Sequence, residues 1–409
     1  MKYVVLHGDG LISGPRQELG GKTVLQAAST PNMDALAQQG ELGVAGMPAD
    51  GQAVTSGMVQ LAVLGYDPQK WYPGAGPLEA TSLGVTLGEH DVAFRCSMVT
   101  LRSNAGGKAP YDELKKLAPP VTVEGETDQL SVEDARELLE AVNEQLGSET
   151  IQFYPGTGSR HVMVWVNGKV KAACLDPREA IGKPVGDCLP SGAGADILRK
   201  LMDASLVILR DHPVNDERRK DGLKPVHCLW LWGQGRASRW PKFSDQHRVT
   251  GVIVATNDVR RGIGMCAGLE AVDPAKIVAA DGSDFLSRGQ AAVRELTRKA
   301  LVYVHAELPP AVVTGGDGPA AVKIVEEFDR RVVGTVLDGL AKAGPYRVLL
   351  VCDRGRMRSD GLPPAIYALC GGPLQKAKAG RRFNEVEGAA VTDGARDATR
   401  LMNRLLSQG

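Results

Sequence analysis

With 409 residues the chain is too long for one comfortable hydrophobic core, and 43% hydrophobic against 23% charged residues marks a globular protein of two units, or of one core with a large insertion. Its 48 Lys and Arg balance 48 Asp and Glu, so no global field draws it to nucleic acid or anionic lipid, and no apolar run is long enough to span a membrane. Seven scattered cysteines without a CxxC pair argue against a disulfide frame or a structural zinc site, and only a short apolar stretch separates Lys2 from Asp9 where a signal peptide would stand, so a cytoplasmic protein is expected.

The first element is MKYVVLHGDG, a buried strand that delivers Asp9 at its C-terminal end, where open α/β sheets collect ligands. Thr30-Pro31-Asn32 starts a helix, with a hydroxyl residue at the cap, Pro in the first turn and Gly40 as the stop. Thr55-Ser56-Gly57 then turns into a helix over Met58 to Leu64 that ends at Gly65. A serine at such a helix start either caps free backbone N–H groups or serves as a nucleophile, and the pattern leaves both open. A wide loop with Tyr, Trp and Pro leads to another helix before Val85, and Asp91 to Leu101 reads as a strand carrying Arg95.

Composition shifts after Leu101. Ser131 caps a helix with Asp134 as its acidic third position and an apolar face of Ala135, Leu138, Leu139 and Val142. TIQFYPG reads as a strand, and Asn167-Gly168 is expected to turn a strand over Val162–Val166 into another over Val170–Leu175. These elements form an α+β insert over 106–189, flanked by core segments 1–105 and 190–409. The core resumes with an amphipathic helix from Ala193 to Leu209, followed by a cluster of His212, Asn215, Arg218 and Arg219. Further strands are expected at Lys224–Gly235, at Val249–Thr256 before a helix start at Asn257-Asp258, at Ala300–Pro310 with His305 and Glu307 near its end, and at Tyr346–Arg356 with Asp353. A long helix runs from Ala320 to Leu340 through Ile324, Phe328 and Val332, and a last one from Asp393 to Leu406. Apolar strands separated by helices predict an α/β fold, a mostly parallel sheet with helices on both faces.

Several runs resemble, in order and over almost the whole chain, the cofactor-independent phosphoglycerate mutases of the archaeal type, within the alkaline-phosphatase-like metalloenzyme superfamily. They are HGDG (7–10), GKTVLQAASTPNMDALAQQG (21–40), TSGMVQLAVLGYDP (55–68), GAGPLEA (74–80), AFRCSMVTL (93–101), SRHVMVW (159–165), LPSGAGADILRKLMDAS (189–205), HPVNDERR (212–219) and LWLWGQG (229–235). The resemblance implies a core with an inserted domain and a serine that carries a phosphoryl group between the 3- and 2-hydroxyls of phosphoglycerate. It also implies two divalent metals (Mn, Zn or Mg) that lower the serine's pKa and neutralise the phosphoryl oxygens. By resemblance Ser56 is the nucleophile, Asp9 and Ser56 belong to the metal site, and Asp353 is the aspartate of an Asp-His ligand pair. Arg95, Arg160, His161, His212, Arg218 and Arg219 resemble positions that handle phosphate and carboxylate.

The chain departs from that pattern at the other ligands. The family's His-x-Glu-x-Pro-Asp-x-x-x-His becomes a run from His305 with Pro310 and Thr314 in place of its Asp and last His. Asp353 is followed by Arg354, and GRMRSDG (355–361) supplies no later histidine; the seven histidines are 7, 90, 161, 212, 227, 247 and 305. Pro offers no donor, Thr is a poor ligand and Arg is permanently cationic. Thr55 and Gly57 flank the serine where the family has Gly and Asp, and Pro177-Arg178-Glu179 stands where it has His and Asp after a proline. Arg354 is a candidate to pair with Asp9 or Asp353 in place of the cations, or to hold a phosphate bidentately.

Three readings follow. One is a mutase, or a phosphoryl-transfer enzyme for another small phosphorylated acid. Another is a metal-free homologue that binds or regulates. The third is a remodelled enzyme with Arg354 and Arg356 standing in for metals. The expected partner is a small phosphorylated acid or inorganic phosphate, with no nucleic acid and no membrane. No cofactor is expected beyond the Mn, Zn or Mg that activity would imply. Homo-oligomerisation is left open.

Overall fold

The computed structural model describes residues 1–47, 54–103, 117, 121–277, 284–307, 317–354, 364–371, 380–391 and 396–407. Its strands are β1 (Lys2–Asp9), β2 (Glu41–Gly46), β3 (Val92–Ser103), β4 (Val121–Glu126), β5 (Ile151–Thr157), β6 (Arg160–Trp165), β7 (Cys228–Gly235), β8 (Gly251–Val254), β9 (Glu270–Ala271), β10 (Leu301–Glu307), β11 (Tyr346–Asp353), β12 (Ala365–Cys370) and β13 (Arg396–Asp397). The chain divides into two units, Met1–Tyr72 with Trp240–Gly409, and Pro73–Arg239.

The first unit is built on an eight-stranded sheet in the order β13-β2-β12-β11-β1-β10-β8-β9. All neighbours run parallel except β12, which is antiparallel to both β11 and β2. β1 is apolar on both sides because both faces are covered: Tyr3, Val4, Val5 and Leu6 are all buried. Leu6 aligns with Val304 and Leu350, and with Val4, Val302 and Val348 it packs in one core with the helices Pro31–Gln39, Asp284–Leu296 and Gly318–Phe328. The alternate positions, His7 beside His305, then Asp9, and Asp353 on β11, lie on the opposite face, which meets the helices Ser56–Val63 and Asp258–Cys266. This is the predicted α/β class, with polar groups on one face at the carboxyl ends of the strands.

Two expectations in this unit change. The long helix is broken by a π-turn over Asp329–Gly334 between the helices Gly318–Phe328 and Thr335–Leu340. That turn presents the buried Asp329 carboxylate to the start of the helix Pro31–Gln39, where it accepts from Asn32 N (3.2 Å), Asn32 Nδ2 (2.8 Å) and Met33 N (2.7 Å). Thr30 occupies the cap position, but its hydroxyl goes to Asp34, so the Asn32 and Met33 N–H groups are met from 297 and 296 residues away. The last helix is short, Leu401–Leu406; the expected start near Asp393 lies outside the described residues.

In the second unit β3 is central, antiparallel to β4, β6 and β7, and β6 pairs with β5. The helices Val132–Leu146 and Ala195–Arg210 cover one face; Ser131 caps the first (2.9 Å to Asp134 N), with the predicted apolar stripe buried. The unit is larger than the expected 106–189, because β3, the helix Ala195–Arg210 and β7 all belong to it. The hairpin partner also differs. β6 pairs with β5 across Gly158 and with β3 on its other edge, so Val170–Leu175 has no edge left to join; only Ala173 makes an isolated bridge, to Ser191.

Candidate functional site

The polar face at the end of the first sheet gathers Asp9 from β1, Asp353 from β11 and Ser56 from the first turn of its helix. Ser56 is not the cap; Thr55 is, accepting from Met58 N at 3.4 Å. That leaves the Ser56 hydroxyl to donate to Asp353 Oδ2 at 2.6 Å. The same oxygen lies 3.0 Å from His7 Nε2, and His7 Nδ1 lies 2.8 Å from the Tyr303 hydroxyl. Asp353 as a carboxylate only accepts, so His7 donates through Nε2, and in that tautomer Nδ1 accepts from the Tyr303 hydroxyl. Gly10, at φ +84, bends the chain back so that its N–H reaches Asp353 Oδ1 at 3.1 Å, a turn that favours glycine. Ser56, His7, Tyr303 and Asp353 are all buried.

Asp9 faces a different partner. Arg260, on the helix Asp258–Cys266, donates through Nη2 to Asp9 Oδ2 at 2.9 Å, and His305 Nε2 stands 3.2 Å from that oxygen without forming an aligned hydrogen bond. Burial works to raise the Asp9 carboxyl, but the Arg260 charge beside it holds it far below the usual carboxylate range. Burial pushes His305 down to about 4, so it is neutral at pH 7. Burial likewise opposes the Arg260 charge, and Asp9, Glu307 and Asp353 more than restore it.

Among the described residues, the donors gathered here are too few and too engaged with one another to fit a pair of divalent cations. Asp9 Oδ2 is already engaged by a guanidinium, and Asp353 is filled by Ser56, His7 and Gly10. Among the described residues, no group of three or more His, Cys, Asp and Glu is placed to hold a metal ion. The expected stand-in cation was Arg354; the guanidinium recorded on Asp9 is that of Arg260. Arg354 is buried and its charge acts on Glu385, which accepts from Thr23 Oγ1 (2.7 Å) and Ser13 N (3.2 Å) below the loop after Asp9. Pro310, Thr314, Arg356 and the segment 355–361 lie outside the described residues.

The other predicted residues belong to the second unit, and the sheet separates them. Arg95 and Arg160 align with Val162 and Ser97 on one face, whereas His161 aligns with Cys96 on the other. Arg95 is buried and held bidentately by Glu79 (2.7 and 3.1 Å), with its guanidinium 4.5 Å from the Trp232 ring centre. Arg178 also lies over Trp232, at 5.5 Å, clamped by Asp176. Arg160 is exposed. His161 accepts from Gly156 N at 3.0 Å, and burial lowers it to about 4. His212 caps the helix Pro213–Lys220 through Val214 N (3.3 Å), and Arg219 pairs with Asp216. Arg218 spends its fork on the carbonyls of Lys224, Gln129 and Asp128. Asn215 is buried and ties Val226 to Leu209.

Sequence reasoning missed Arg260, and missed His7 and Tyr303 as partners of Asp353. One signal was present: Asn257-Asp258-Val259-Arg260 opens a helix directly after a sheet strand, so the arginine projects near the strand ends.

A model of the 2,3-bisphosphoglycerate-independent phosphoglycerate mutase family matches residues 37–215. A probable 2,3-bisphosphoglycerate-independent phosphoglycerate mutase of Geobacter sulfurreducens is 37% identical over the whole of both chains. One of Methanothrix thermoacetophila is 34% identical over 91% of each. Among solved structures, a protein of Pyrococcus horikoshii superposes with a TM-score of 0.73 at 23% identity, covering 100% of this chain and 98% of that one. The cofactor-independent phosphoglycerate mutase of Thermoplasma acidophilum gives 0.58 at 21%, covering 99% of both, and at these identities the likeness speaks for the fold. By relatives 34–37% identical over nearly the whole of both chains, and with the matching α/β fold, the chain belongs to the 2,3-bisphosphoglycerate-independent phosphoglycerate mutase family.

Proposed function

We propose that this protein is a phosphoglycerate-mutase homologue that binds a small phosphorylated acid or inorganic phosphate without running metal-dependent phosphoryl transfer through Ser56. The observation that carries this reading is the Ser56 hydroxyl pointed at the Asp353 carboxylate, with a guanidinium on Asp9. A nearby carboxylate makes the serine oxygen harder to ionise and repels the incoming phosphoryl oxygens. Arg260 offsets part of the charge but is no Lewis acid for the serine. The missing activation is worth roughly 5 kcal/mol or more of transition-state stabilisation. The absence of usable donors at Pro310, Thr314 and Arg354 supports the same reading.

An enolase-coupled assay with 3-phosphoglycerate, with and without added manganese and beside Ser56→Ala, tests it. Negligible turnover in all samples is expected; robust turnover that disappears in Ser56→Ala overturns it. The ordered chain Tyr303–His7–Asp353–Ser56 favours a second reading, phosphoryl transfer from another small phosphorylated acid. That reading predicts a phosphoryl adduct on Ser56 by mass spectrometry.

A further inference from the structure

A carboxylate as deeply buried as Asp9 requires a fixed positive partner. Arg260 supplies it, and its surroundings are arranged to hold it there. Gln60 Nε2 donates to the Arg260 carbonyl at 3.0 Å. Asn257 anchors the helix start at both ends, accepting from Arg260 N at 3.3 Å and donating to Glu307 at the end of β10 at 2.9 Å. Gly57 leaves space for the guanidinium: a Cβ at this position would come 2.8 Å from Arg260 Nη1 and 3.2 Å from Tyr72 Cε2. The glycine after the serine and the arginine on a distant helix are therefore one arrangement.

We infer that Arg260 is a resident counter-cation that has taken the place of a divalent metal at Asp9, closing the site to metals by occupancy. The inference rests on the functional reading above, and it makes a separate demand. Removing the guanidinium should leave Asp9 Oδ2 and His305 Nε2, 3.2 Å apart, as an oxygen–nitrogen pair open to a weakly held, largely hydrated Mn2+.

The test uses the full chain and Mn2+ alone as probe, with binding read from the spectrum of free Mn2+ by electron paramagnetic resonance and stability from melting in EDTA or Mn2+. Wild type and Arg260→Lys are expected to bind no Mn2+ and to melt alike in both. Arg260→Ala is expected to melt lower in EDTA, by roughly 5 °C or more, to recover part of that loss in Mn2+, and to bind Mn2+. Adding Asp9→Asn to Arg260→Ala should abolish the binding and restore melting in EDTA. If Arg260→Ala does not fold, the double variant still decides, since relief of the lone carboxylate should return folded protein. Asp9-dependent Mn2+ binding by wild type, an Arg260→Ala protein as indifferent to Mn2+ as wild type, or a double variant no more stable than Arg260→Ala would each overturn the inference. Mutase turnover by wild type in EDTA would instead sink the functional reading and leave the counter-cation standing.

Discussion

Asp353 accepts from at least three donors among the described residues: Ser56 Oγ and His7 Nε2 on one oxygen, Gly10 N on the other. Its removal therefore strands three buried groups, while removal of Ser56 strands none, because Asp353 keeps His7 and Gly10. Asp353→Ala is expected to cost about 3 kcal/mol and Ser56→Ala about 1 kcal/mol or less. Urea midpoints of the two variants check the order; equal midpoints would mean that the carboxylate does not hold this cluster together. At this scale the sequence was informative about Asp9, Ser56 and Asp353, which sit at the strand end and helix start where their pattern put them. It placed Arg260 near the strand ends without naming its partner, since an ion pair spanning 251 residues leaves no local periodicity to read.

Among the elements, the helix Pro31–Gln39 shows how a local signal can name the right boundary and the wrong chemistry. Thr30 and Pro31 mark the start, yet the free N–H groups are met by Asp329 from a π-turn. Asp329→Ala should cost about 2–3 kcal/mol, whereas Thr30→Ala should cost less than about 1 kcal/mol. The reverse order in chemical denaturation would show the local cap to be the working one. The helix Val132–Leu146 was legible in full, because its cap and apolar stripe depend only on near neighbours. The strand at Val170–Leu175 was not: strand character was present, but pairing is decided by which edges remain open, and β3 and β5 had taken both edges of β6.

For the whole molecule, the second unit carries buried histidines that act as acceptors. His161 Nδ1 takes Gly156 N and His227 Nδ1 takes Leu101 N, each at 3.0 Å, and burial lowers both imidazoles from 6.5 to about 4. Protonation would place a proton against each of those N–H donors. Because the folded values lie below the unfolded ones, the unfolded chain takes up protons first as pH falls. Stability is then complete above about pH 6.5 and declines towards pH 4, by up to roughly 3 kcal/mol per histidine. Urea unfolding at pH 7, 6 and 5 should show the decline, and His227→Gln should remove about half of it; a pH-independent midpoint over that range would contradict it. The α/β class was readable from apolar strands and helix caps. The division of the chain at Pro73 and Arg239 was not, because β3 and β7 reveal their membership only by pairing with each other.

The counter-cation inferred above, the Arg260 guanidinium on Asp9, keeps divalent metal out of the site. Elemental analysis of the purified full-length protein, produced with manganese and zinc supplied and never exposed to chelator, tests it most directly. The expected result is divalent metal far below stoichiometric, unchanged in Asp9→Asn. A stoichiometric pair of manganese or zinc ions per chain, lost in Asp9→Asn, would contradict it.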